Sequence, residues 1–234
     1  MKTILFDLDG TLLPMNQEEF IKAYLGGLAT KLLPYGYDPN QLINAIWTGT
    51  KAMVINDGTE TNETRFWQAF EHIIGEDVRK DEPLFDDFYR NEFRFVSHVC
   101  GHTEQAGKMV RWLKNQGCRT ILATNPIFPA IATGARMEWA GLKATDFELV
   151  TTYENSSYCK PNLAYYRQIL SQIGEQPENC IMVGNDVSED MVAAQLGMQV
   201  FLLTDCMINK ENTDISQFPH GSFDTLMTFL QKNI

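Results

Sequence analysis

The segment Asp7-Leu8-Asp9-Gly10-Thr11 sets two carboxylates two positions apart, directly after a short apolar run. If that run is a strand ending at Asp7 and the chain coils at Leu8, both acids face one crevice. Asp7, at the strand end with little freedom, is the better placed nucleophile. Asp9 is then free to carry a proton to or from a leaving or attacking oxygen. Gly10 lets the backbone turn, and the Thr11 hydroxyl can tie that turn down. Alone, an Asp-x-Asp is ordinarily an Asx-turn without chemistry. A second acidic cluster, Gly184-Asn185-Asp186 with Asp190 four residues on, changes the balance. Asp7, Asp9, Asp186 and Asp190 in one crevice would repel one another, so something positive must sit among them. A hard dication with oxygen ligands is the economical answer, and Mg2+ suits a few carboxylates, waters and a substrate phosphate. Lys160, just ahead of Pro161, adds a positive point charge. Thr124 and Asn125 offer a hydroxyl and backbone N–H groups to phosphoryl oxygens. Singly, each has a bland reading: a solvated first-turn acid for Asp190, a loop cap for Asn125, a surface lysine for Lys160.

What brings them together is the pattern of elements. Five runs rich in apolar and β-branched residues, Thr3–Phe6, Arg119–Ala123, Phe147–Val150, Cys180–Val183 and Val200–Leu203, have strand length without period-2 alternation. That pattern predicts burial on both faces, as in a parallel sheet. Helical spacing recurs at Ala106–Leu113, Leu163–Ile173 and Phe223–Leu230, with Ser188 as an N-cap for a short helix ending at Gly197. The fold expected is α/β: a doubly wound, Rossmann-like parallel sheet. In such a sheet ligands bind beyond the carboxyl ends of the strands. Most of the polar motifs follow one of these runs.

Residues 15–98 contain no convincing strand. Phe20, Tyr24, Leu28 and Leu32 share a helix face behind an Asn16-x-x-Glu19 capping box. Leu42–Trp47, Phe66–Ile74 and a fourth, aromatic-rich stretch from Leu84 to Val96 predict three more helices. The reading is therefore an all-α insert, 15–98, within a core of 1–14 and 99–234. Trp47, Trp67 and the aromatics of the fourth helix read chiefly as core packing, with a minority left to line a substrate pocket.

The composition closes several doors. The chain has 234 residues, 44% hydrophobic, with a formal net charge of −11. So acidic a surface, with no run of Lys or Arg, argues against nucleic-acid and membrane-surface partners. No apolar stretch approaches the ~20 residues a bilayer crossing needs. Cys100, Cys118, Cys159, Cys180 and Cys206 are scattered and odd in number, which suits free thiols and a cytoplasmic setting.

In this order and spacing, Asp7-Leu8-Asp9-Gly10-Thr11, Thr124-Asn125, Lys160-Pro161 and Gly184-Asn185-Asp186 with Asp190 resemble the four motifs of the haloacid dehalogenase superfamily, in its phosphatase branch with a helical cap. Many members carry Gly-Asp-Ser where this chain has Gly-Asn-Asp. Counting back four from Asp190 makes Asp186 the metal ligand and Asn185 a supporting polar group. The resemblance implies a Mg2+-dependent phosphatase that passes through an aspartyl-phosphate on Asp7. It implies that Asp9 is the acid and base and lends a backbone carbonyl to the metal. Thr124, the Asn125 backbone and Lys160 would hold the phosphoryl group, with Thr11, Asn185 and Asp190 in support. The insert would close over the site and choose the leaving group.

Asp9 argues against carbon–halogen cleavage, which needs no acid at the leaving group. Phosphonate hydrolysis would need a Schiff-base lysine in the insert. A phosphomutase or phosphotransferase acting on sugar phosphates uses the same carboxylates and is the alternative, followed by a non-catalytic binding module on the same fold. Lys51, Asn56 and Arg94 are the candidate contacts from the insert to a small phosphorylated metabolite. A monomer or homodimer is expected.

Overall fold

The computed structural model describes residues 2–234. Six parallel strands make one sheet: Thr3–Phe6 (β1), Arg119–Leu122 (β2), Leu149–Val150 (β3), Cys180–Gly184 (β4), Gln199–Leu203 (β5) and His220–Gly221 (β6), in the order β3-β2-β1-β4-β5-β6. β1 is central, with Thr3 opposite Arg119 on one side and Cys180 on the other. All of β1 is buried, which is why its sequence does not alternate. Ile4 and Phe6 enter one apolar cluster and Leu5 the cluster on the other face. The strand order reverses between β1 and β4, the switch point where a doubly wound sheet opens a crevice. β6 was not expected: its two residues carry no apolar run to betray a strand.

The helices are Gln17–Leu32 (α1), Pro39–Val54 (α2), Asn62–Ile74 (α3), Glu82–Arg90 (α4), Gln105–Asn115 (α5), Ala130–Trp139 (α6), Leu163–Ile173 (α7) and Phe223–Asn233 (α8). α1 to α4 fall between β1 and β2 in sequence. The chain enters and leaves this helical stretch side by side, through an antiparallel bridge of Met15 with Cys100 and a bond from Gly101 N to the Pro14 carbonyl at 2.7 Å. α1 starts where the Asn16 side chain accepts from the amides of Glu18 and Glu19. Asp38 and Thr61 open α2 and α3 in the same way.

Two expectations are corrected. The single helix from Leu84 to Val96 is broken at Asn91, whose Nδ2 donates to the Asp87 carbonyl (3.1 Å) and carboxylate (2.7 Å). That side chain competes for helical acceptors, and the chain continues as a 3-10 helix over Glu92–Val99. Ser188 caps nothing; its amide donates to Asp186 Oδ1, and a 3-10 helix over Met191–Leu196 starts after Asp190.

One apolar cluster runs from the sheet (Ile4, Phe6, Leu122) into α1 (Phe20, Tyr24) and the aromatic stretch (Phe88, Phe93). Phe93 meets Trp139 of α6 with ring centroids 5.0 Å apart, so the helical stretch is seated on the sheet layer.

Candidate active site

Asp7 leaves β1 at the carboxyl edge of the sheet, its amide held by the Val183 carbonyl at 2.9 Å. Lys160 Nζ donates to Asp7 Oδ1 at 2.8 Å and to Asp190 Oδ1 at 2.7 Å, and the lysine is fully buried. Burial works against that ammonium, but Asp190 and Asp7 outweigh it and hold its pKa well above the ordinary lysine value. Burial pushes the Asp190 carboxyl up to about 7 against the pull of Lys160. Thr11 Oγ1 donates between Asp7 Oδ2 (3.2 Å) and Asn185 Oδ1 (3.0 Å), and Asn185 donates to the Cys206 carbonyl at 2.7 Å. Asn185 thereby joins the first motif to the fourth. Gly10 is required here twice: its φ is +84°, and a Cβ would strike the Asn185 amide. At Gly184 a Cβ would collide with the Asp190 carboxylate.

The fourth motif is tied to itself as well. Asp186 Oδ1 accepts from the amides of Ser188 (2.8 Å) and Glu189 (2.9 Å), while its own amide donates to Asp190 Oδ2 at 3.0 Å. Asn125 accepts from the Lys160 amide at 3.3 Å and donates to Glu189 Oε2 at 3.0 Å. Buried Thr124 places its carbonyl under the hydroxyls of Thr151 and Tyr165. The structure thus brings Asp7, Asp9, Thr11, Thr124, Asn125, Lys160, Asn185, Asp186 and Asp190 to one rim.

Two residues of this rim escaped the sequence reading. Glu189 lines the cavity above the aspartates; burial raises its carboxyl to about 8, with Lys160 opposing and Asp190, Asp186 and Asp7 reinforcing. Arg136 of α6 is fully buried and ion-paired to Asp9 Oδ2, its guanidinium 4.3 Å from the Phe128 ring centroid. Burial raises Asp9, and Arg136 pulls it back. A signal existed: Arg136 lies on the buried face of α6 with Ala132, Thr133 and Met137. A charge there needs a partner. The segment is too rich in alanine and glycine for its periodicity to stand out.

The three candidates from the helical stretch lie elsewhere. Lys51 and Arg94 are exposed, Arg94 lying over the Phe95 ring, and neither lines the cavity. Asn56 is buried but spent on structure: its Nδ2 donates to Asn62 Oδ1 (2.9 Å) and the Glu60 carbonyl (3.0 Å). The cavity of about 230 Å3 above the aspartates is walled by aromatics, including Trp47 and Trp67; Trp67 belongs to the apolar core as well.

Asp9 Oδ1 is buried with no hydrogen-bond partner. Together with the acid-rich rim it fits a hard dication. Among the described residues no three His, Cys, Asp or Glu side chains form a ready-made shell. The fitting donors are the Asp7 and Asp186 carboxylates with the Asp9 carbonyl, completed by water and substrate.

Residues 1–197 match the family model of haloacid dehalogenase-like hydrolases, and the chain belongs to that family. It is an enzyme, a hydrolase built on the doubly wound sheet. A pyrophosphatase, PpaX of Bacillus cereus, is 26% identical over 196 residues, 83% of this chain and 79% of that protein. A phosphatase of the family from Thermococcus onnurineus shares the fold with a TM-score of 0.59 at 19% identity, covering 98% of both chains. So does the hydrolase YfnB of Bacillus subtilis, in a magnesium-bound form described as revealing interdomain movement, with TM-score 0.58, 17% identity and 98% of both chains. No helix among the described residues is long and apolar enough to cross a membrane.

Proposed function

We propose that the chain is a phosphatase that hydrolyses a small phosphate monoester through an aspartyl-phosphate on Asp7, with Mg2+ as cofactor. The observation that carries this reading is the Asp7 carboxylate, fixed at the end of β1 by Lys160 and Thr11 on the floor of the cavity. Asp7 Oδ attacks phosphorus in line as the ester oxygen departs. Asp9 protonates that oxygen, then takes a proton from the water that attacks the acyl phosphate in the second step. Lys160 neutralises charge between Asp7 and the transferring group. Thr124 and the Asn125 backbone hold phosphoryl oxygens. Asp7, Asp186 and the Asp9 carbonyl would hold Mg2+, which supplies charge neutralisation of the phosphoryl oxygens. Asp190 orients Lys160, and Asn185 and Thr11 brace Asp7. Residues 15–98 act as a cap over a core of 1–14 and 99–234. The protein works in the cytoplasm, where its free thiols stay reduced, as a monomer or homodimer.

Phosphate release from p-nitrophenyl phosphate, with Mg2+ and with a chelator, tests this directly. Turnover that needs Mg2+ is expected, with a phosphoryl-mass increment on the peptide containing Asp7 after rapid quenching. Metal-independent turnover, or no modified Asp7 peptide, overturns the mechanism. Conversion of one sugar phosphate to its isomer without phosphate release would favour the mutase alternative.

A further inference from the structure

The cavity above Asp7 has a composition that says what it will admit. Its floor is the acid rim; its walls are Phe20 and Tyr24 of α1, Trp47 of α2, Phe66 and Trp67 of α3 and Phe85 of α4. No lysine, arginine or histidine lines it among the described residues. Its charged groups beyond the floor, Glu82 and Asp86, are acids already answered from outside by Arg79 (3.7 Å) and Arg90 (3.0 Å). Buried Trp67 Nε1 has no hydrogen-bond partner, though it lies near enough to the Tyr153 hydroxyl to lower its pKa against burial. Trp47 is 47% exposed, a large apolar side chain half in water.

We infer that the leaving group is an alcohol with one aromatic ring, or a bulky apolar body of that size, and with no negative charge. This deepens the phosphatase reading and rests on it. The phosphoryl group is served at the floor by Lys160 and the dication site. Anything attached to it meets rings, aliphatic side chains, carboxylates and the uncharged Gln17 and Thr50. A second anionic group, as in phosphoglycolate, a sugar bisphosphate or pyrophosphate, would be desolvated against acids with no cation to receive it. An aromatic body would instead replace water on the ring walls and stack edge-to-face. A cavity of about 150 Å3 accommodates benzene, so about 230 Å3 has room for one ring beside the phosphoryl group. Trp47 stands at the water-facing side, where a bound ring would cover it.

The test uses the full chain with Mg2+ and esters of alcohols with similar leaving ability: ethyl phosphate, 2-phenylethyl phosphate and phosphoglycolate, with pyrophosphate alongside. A kcat/KM for 2-phenylethyl phosphate about 30-fold or more above ethyl phosphate, with phosphoglycolate and pyrophosphate below both, is expected. Equal values for the phenylethyl and ethyl esters, or preference for either anionic substrate, overturns the inference. Trp47→Ala should reduce kcat/KM for the phenylethyl ester about fivefold more than for ethyl phosphate; an equal loss on both removes Trp47 from the wall. If none of these compounds is hydrolysed and p-nitrophenyl phosphate is not hydrolysed either, the phosphatase reading fails. Calorimetric binding of 2-phenylethyl against ethyl phosphate to the same protein still decides the cavity. Tighter binding of the phenylethyl ester sustains the assignment, and equal binding overturns it.

Discussion

The floor of the cavity and its walls are held together in opposite ways. On the floor nearly every polar atom has a named partner: Lys160 between Asp7 and Asp190, Thr11 between Asp7 and Asn185, Asn125 between Lys160 and Glu189. The walls are rings against rings, such as Phe66 and Trp67 with centroids 5.6 Å apart and Trp67 and Phe85 5.8 Å apart. A hydrogen-bonded network fixes atoms to tenths of an ångström and fails when one member is lost. Ring packing tolerates exchange of shape for shape. The floor is therefore suited to chemistry common to a family, and the walls to one chain's choice of substrate. Substitutions on the floor should cost far more than substitutions in the walls.

The largest effect is expected at Asp7. Asp7→Asn keeps the shape and removes the proposed nucleophile, so kcat for p-nitrophenyl phosphate should fall about 10^4-fold or more. Circular dichroism should show a melting temperature within a few degrees of the parent. A variant retaining a tenth of the activity would break the comparison at its root.

Lys160→Met comes next. It leaves Asp7 and Asp190 facing each other in a buried site. Removing one partner of a buried ion pair costs roughly 3–5 kcal/mol, and kcat should drop about 10^3-fold. Urea denaturation reads the first and phosphate release the second. Loss of activity with unchanged stability would mean that Mg2+ or solvent, and not Lys160, neutralises those carboxylates.

The same contrast explains what could be read without coordinates. Asp7, Thr124 and Asn185 each stand just past a buried strand, and β1, β2, β4 and β5 announce themselves as continuous apolar runs; topology then gathers the motifs at one edge. Residues that act across the fold give no such signal. Arg136 is far from Asp9 in sequence and sits on a helix of weak periodicity, so only the buried ion pair reveals it. The break at Asn91 turns on a side chain choosing Asp87, which propensity alone does not specify. Trp47, Trp67 and Phe85 sit at helical positions whether they fill a core or line a cavity. Their spacing is identical in both cases, and only the space left between them distinguishes the two.

Arg136→Met tests whether the floor extends to a residue outside the motifs. The guanidinium holds Asp9, and in the proposed mechanism it acts on the reaction through that carboxylate, as a positioning residue. A p-nitrophenolate departs with little help from an acid, whereas an alkoxide requires it. Loss of kcat should thus be about tenfold for p-nitrophenyl phosphate and about 100-fold for an alkyl phosphate. Equal losses on both substrates would make Arg136 structural only.

The smallest expected effect lies where walls meet floor. Asn62 at the start of α3 is fully buried, and its Nδ2 donates to the Pro126 carbonyl (3.1 Å), the Tyr158 carbonyl (3.3 Å) and Cys159 Sγ (3.3 Å). It docks the helical stretch onto the loops that carry Asn125 and Lys160. Burial pushes the Cys159 thiol up to about 12, with the nearby Glu189 adding to the shift and Asn62 opposing it. A thiol with its pKa raised on folding ionises only when pH approaches the folded value or the site opens. At pH 8.5 the native protein should therefore alkylate Cys159 about 10^2-fold more slowly than the urea-unfolded chain, followed by peptide mass spectrometry. Asn62→Ala removes the tether and leaves those acceptors without their donor, at roughly 1–3 kcal/mol. Alkylation of Cys159 should rise about tenfold while Cys180, buried at the start of β4, keeps its parent rate. Equal acceleration at both cysteines would report global loosening, and the walls would then be no more separable from the floor than any other part of the core.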